Sequence, residues 1–88
     1  MQIVNGMVVR SKKGHDKGKF FVVVSVENNI AYLADYRGRT PDFPKKKNLI
    51  HIAPTKTVLD SESVGSDDEI RKILAGFNGR AALPKEVL

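Results

Sequence analysis

The chain has 88 residues, no cysteine, 15 Lys and Arg against 10 Asp and Glu, and a formal net charge of +5. This length suits one domain with a modest core, too small to surround a deep catalytic cleft, and the missing cysteine excludes disulfides and thiolate metal sites. The longest apolar run, Phe20–Val24, falls far short of the ~20 residues of a membrane span, and the residues after Met1 show no basic-then-apolar leader pattern; the expectation is a cytoplasmic protein with no membrane partner.

Gly6 to Arg10 predicts a first strand, since Met7, Val8 and Val9 are apolar and two of them are β-branched. Ser11 to Lys19 is a loop with two glycines and five charged residues. Phe20 to Val26 is the strongest strand pattern, and its blurred alternation predicts cover on both faces for part of its length. Glu27, Asn28 and Asn29 form a turn, because Asn tolerates the left-handed backbone, and Ile30 to Ala34 completes a β-hairpin. Asp35 to Lys47 is polar and irregular, Leu49 to Ile52 a last short strand closed by Pro54, and residues 55–65 a linker. Ser66 and Glu69 have the spacing of a capping box. Ile70, Ile73, Leu74 and Phe77 then follow the i, i+3, i+4, i+7 spacing of an apolar helix face, and Gly76 is read as the helix stop. That stripe packs on the barrel or, alternatively, forms a docking face for another protein. Short strands with no helix between them exclude β-α-β crossovers and predict a mainly β small barrel with a C-terminal α-helix. The barrel would occupy residues 1–56, and residues 57–88 would be a separable linker and helical tail.

Charge is uneven along the chain. Residues 1–56 hold 11 Lys and Arg against 4 Asp and Glu, a net of +7, and residues 57–88 hold 4 against 6, a net of −2. A basic body points to a polyanionic partner. The charge gathers in the loop Arg10, Ser11, Lys12, Lys13, Gly14, His15, Asp16, Lys17, Gly18, Lys19, in Arg37 and Arg39, and in Lys45, Lys46 and Lys47. Gly14 and Gly18 permit backbone angles closed to other residues and a close approach by a nucleic-acid backbone, and Asp16 can pin the turn by accepting backbone N–H groups. Tyr32 belongs to the core, whereas Tyr36 and Phe43 flank the basic segment as candidates for base stacking.

Other chemistries lack support. Only three residues separate Gly14 from Gly18, and Phe20 stands where a P-loop needs Ser or Thr. His15 and His51 are the only histidines and lie at no metal-ligand spacing. Ser11, His15 and Asp16 are too close in one loop to converge as a triad. The expectation is a non-enzymatic protein without a cofactor or metal.

The segment from Gly6 through Val8, Val9, Ser11, Gly14, Asp16, Lys17 and Gly18 into an apolar strand resembles the KOW motif of ribosomal proteins and transcription elongation factors. With the Ala34-Asp35 strand end, Arg39 and Lys45-Lys46-Lys47-Asn48-Leu49, residues 4–53 are similar to the fourteen-e group of large-subunit ribosomal proteins and its bacterial relatives. Phe20 and Phe21 depart from the pattern, standing where many KOW segments carry another glycine or small residue. The resemblance implies an SH3-like barrel that binds structured RNA, often ribosomal RNA, with Arg10 to Lys19, Arg37, Arg39 and Lys45 to Lys47 as the contact residues. Ribosomal or translation proteins would be further partners. A protein-interaction module of SH3-like fold in the translation or transcription machinery is the alternative reading.

Overall fold

The computed structural model describes residues 2–82. It contains strands β1 (Met7–Ser11), β2 (Phe20–Glu27), β3 (Ile30–Ala34), β4 (Lys45–Asn48) and β5 (Ile52–Val58), then helices α1 (Ser61–Val64) and α2 (Asp67–Ala82). A single 3-10 turn, Leu49–His51, joins β4 to β5. The strands form one antiparallel sheet in the order β4-β3-β2-β1-β5. Its edges, β4 and β5, do not pair with each other, so the sheet is open where the sequence predicts a barrel. The mainly β class with a C-terminal helix is as expected.

β2 lies near the middle of the sheet and is covered on both faces, as its run of apolar residues predicts. Phe21 and Val23 point into one core with Met7, Val9, Ala31, Leu33 and Ile52. Val22 points into a second core with Val8, Ala34, Tyr36, Ile70 and Leu74. Irregularities in register at Met7/Val9 and Val23/Ser25 mark bulges, which bend strands and raise local twist. The second of these advances the alternation, so Val26 rather than Ser25 packs against the first core.

Three elements differ from expectation. Lys45 to Asn48 are a strand, not an irregular segment, paired in register with Leu33 to Ile30; lysines suit an exposed sheet edge, where they discourage pairing with other chains. The last strand begins at Ile52, its expected start Leu49–His51 being the 3-10 turn, and continues through Pro54 to Val58. Proline is tolerated there because β5 is an edge strand. The expected linker 55–65 therefore begins as strand, up to Val58, and contains α1, whose start is capped by Asp60 Oδ1 accepting the Ser63 N–H at 2.8 Å. The Ser66 cap of α2 is present, its Oγ accepting the Glu69 N–H at 3.4 Å. Gly76 does not stop the helix. It lies on the exposed side of α2, where glycine costs about 1 kcal/mol relative to alanine without ending a helix held by packing. Among the described residues no helix is long and apolar enough to cross a membrane.

Gly6 fixes the approach of the chain to both halves of the fold. It has φ +86°, its N–H donates to the Val23 carbonyl at 2.7 Å, and its carbonyl accepts the Leu59 N–H at 2.8 Å. A Cβ on this residue would collide with the Leu59 carbonyl oxygen. Gly6→Ala is expected to destabilise the protein by about 2 kcal/mol or more, from left-handed backbone strain and the forced displacement of Leu59, measured by thermal denaturation.

Candidate nucleic-acid interface

The loop after β1 is closed by its own backbone. Ser11 N–H donates to the Lys19 carbonyl at 2.9 Å, Gly18 N–H to the Ser11 carbonyl at 2.8 Å, and Lys19 N–H to the Asp16 carbonyl at 2.9 Å. Gly14 and Gly18 have φ of +92° and +89°, so both glycines meet a conformational need. Lys12 N–H reaches the His51 carbonyl at 2.8 Å, which ties the loop to the turn before β5.

Asp16 anchors this loop, but through side chains rather than the expected backbone N–H groups. Its carboxylate is buried. Oδ1 accepts from the Ser11 hydroxyl and from Lys47 Nζ, each at 2.7 Å, and Lys45 Nζ lies 3.3 Å from Oδ2. Lys47 Nζ also donates to the Lys13 carbonyl at 2.6 Å. Burial alone works to raise the Asp16 pKa; the hydrogen bonds from Lys47 and Ser11 and the nearby Lys45 ammonium outweigh it and lower the value to about 2.

These interactions divide the expected contact residues. Ser11 is completely buried and serves the loop, not a ligand, because its hydroxyl is committed to Asp16 and the Lys13 carbonyl. The side chain of Lys47 is only 10% exposed and that of Lys45 31%, since both face Asp16. Lys46 points the other way along the strand and is exposed, with Nζ 5.9 Å from the Tyr32 ring centroid. Arg10, Lys12, Lys13, His15, Lys17, Lys19, Arg37 and Arg39 are exposed, as is Gly14, and Gly18 is half-buried.

Two hollows collect them. Lys13 and Gly14 of the loop face Lys45, Lys46 and Lys47 of β4 across an open groove of about 320 Å³, which Asn48 and His51 complete. Of the loop, only Lys13 and Gly14 thus share a groove with the basic segment. Lys17, Gly18, Lys19 and Arg37 meet instead in a second hollow, against α2. Arg10, Lys12, His15 and Arg39 line neither.

The aromatic assignments change in part. Tyr36 is 4% exposed and its hydroxyl donates to the Val64 carbonyl, so it is a core residue, unable to stack on a base. It holds φ +63°, a left-handed conformation costly for a bulky side chain. The turn around it is secured by Asp35 Oδ1, which accepts the N–H groups of Arg37, Gly38 and Arg39 at 2.9–3.3 Å. Burial of Asp35 opposes its charge, but these bonds prevail and keep its carboxyl below the usual range. Tyr32 is half-buried, and Phe43, 74% exposed, remains able to stack. Sequence reasoning missed Asn48 and His51, which carry no local signal, and Arg71 of α2. A helical projection would have found Arg71 beside the apolar stripe, next to Ile70 and three residues before Leu74.

No model of a known protein family matches the chain, and no curated protein matches it by sequence.

Proposed function

We propose that this chain is a non-catalytic RNA-binding domain of the KOW type, a partly open variant of the SH3-like barrel, that holds structured RNA through its phosphates. The observation that carries this reading is the groove between the β1–β2 loop and β4, where Lys13, Gly14, Lys46 and His51 meet from distant parts of the chain. The fold reading is supported by the meander β1-β2-β3-β4, with β5 returning to β1 after a 3-10 turn. Phosphate contacts position a protein on RNA; selectivity then comes from RNA shape, 2′-hydroxyls and unstacked bases. Exposed Phe43 is the side chain offered for stacking. Ribosomal RNA in the cytoplasm is the target class we assign.

The test separates cations that face solvent from those held by Asp16. A variant with Lys12→Ala, Lys13→Ala and Lys46→Ala is expected to bind ribosomal RNA fragments more weakly at low salt. Its plot of log K against log salt should flatten by roughly 0.7–0.9 for every phosphate that the variant no longer neutralises. Its melting temperature should hardly change, since exposed charges add little stability. Unchanged affinity and salt slope would refute RNA binding at this face. That result would favour a protein-interaction module, for which exposed Ile50, in the turn after β4, and Phe43 would be the first residues to probe.

A further inference from the structure

The second hollow lies between α2, the end of the β1–β2 loop and the turn after β3, and has a volume of about 420 Å³. That is within the range of sites that enclose small organic groups. Its rim carries four cations, Lys17, Lys19, Arg37 and Arg71. The one carboxylate among its lining residues, Asp35, has Oδ1 committed to three backbone N–H groups. The Arg71 guanidinium uses Nε to reach the Tyr36 carbonyl at 3.3 Å, and its two terminal NH2 groups carry four more donors. The floor is apolar, formed by half-buried Phe20 and buried Leu74, with exposed Ala75 beside them in the lining. Phe20 is braced by the Phe77 ring at a centroid distance of 5.0 Å. Asn78 also lines the hollow, and its Oδ1 accepts the Phe20 N–H at 3.2 Å, which fixes the amide and leaves the NH2 group as its hydrogen-bond donor.

A phosphate of a regular duplex needs cations but neither a cavity nor an apolar floor, because the bases of the duplex stay stacked. A ring of cations around an apolar hollow with a fixed amide matches a nucleotide whose base has left the stack. We infer that this cleft takes a single unstacked nucleotide of the bound RNA, with its phosphates on Lys17, Lys19, Arg37 and Arg71 and its base over Phe20 and Leu74. The inference rests on the RNA-binding reading and adds a second site on another side of the loop. It makes the protein selective for RNA with a bulged or looped-out nucleotide, which the groove at β4 alone does not provide.

The experiment compares a paired RNA hairpin with the same hairpin carrying one bulged nucleotide, in titrations with the full chain. The parent is expected to bind the bulged hairpin about tenfold more tightly, the scale of one stacked base. Ala75→Glu places a carboxylate in the cleft from an exposed helical position where Glu is a good helix former. Arg71→Gln removes a rim cation. Both variants should lose the preference for the bulge and still bind the paired hairpin, whereas the Lys12, Lys13, Lys46 triple variant should weaken both complexes alike. A parent that binds both hairpins equally, or variants that melt like the parent and keep its preference, would overturn the cleft assignment and leave the RNA reading intact. A parent that binds neither hairpin nor ribosomal RNA would overturn both.

Discussion

Asp16→Asn is expected to lower the stability of the folded protein by about 2 kcal/mol, although it removes an acidic residue from a strongly basic loop. Asn keeps the shape and can still accept the Ser11 hydroxyl, but it leaves Lys47 Nζ, in a side chain only 10% exposed, without its counter-charge. Removing one partner of a buried pair is costly because the other charge remains desolvated; the partial exposure of this pair sets the effect below the usual buried case. In a domain of this size about 2 kcal/mol corresponds to a melting temperature lower by roughly 10 °C. Lys47→Ala should act in the same direction. The cost should also vary with pH. The folded-state pKa of Asp16 is lowered from 3.8 to about 2, so its contribution is fully present above the unfolded value and is lost as pH falls from about 4 through 2. Thermal melts of parent and Asp16→Asn should therefore be far apart at pH 6 and converge near pH 2. Equal melting temperatures at pH 6 would show that the pair contributes nothing to the fold.

This anchor explains which parts of the candidate site could be read from the sequence. The glycine-punctuated loop and the later basic segment were each visible as composition, and their order predicted a shared face. The direction of each lysine was not visible. Lys45 and Lys47 turn inward because a carboxylate some thirty residues earlier lies beneath them, and a long-range ion pair leaves no local pattern. The same holds for β4 itself. Lys45, Lys46, Lys47 and Asn48 have no apolar residue to announce a strand, and only pairing with β3 makes them one. β1, β2 and β3 were legible because apolar and β-branched runs state both the element and its burial. The α2 start was legible because Ser66 and Glu69 form a local signal. Tyr36, between two charged residues, read as a candidate for base stacking; its burial depends on α1 and on Asp35, which hold the turn around it.

The tail provides the other large effect. Read by charge and composition, residues 57–88 form a separable appendage whose removal would leave the domain folded. The packing opposes this. Ile70 is completely buried and Leu74 is 3% exposed, and both complete the core that contains Val8, Val22, Ala34 and Tyr36. Ile70→Ala is expected to cost about 2–5 kcal/mol, from the reduced apolar burial and the cavity left behind, against about 5–15 kcal/mol for the whole fold. Deleting residues 66–88 removes every side chain of α2 from that face at once. It uncovers the apolar residues of β1, β2 and β3 on one side of a thin sheet, and the remaining core faces an entropy cost of ordering that is little reduced. The shortened chain should therefore lose cooperative thermal unfolding and the dispersed amide spectrum of a folded sheet, while a control with Lys72→Ala on the exposed side of α2 melts like the parent. A truncated chain that still unfolds cooperatively near the parent temperature would mean that α2 lies on the sheet without supporting it.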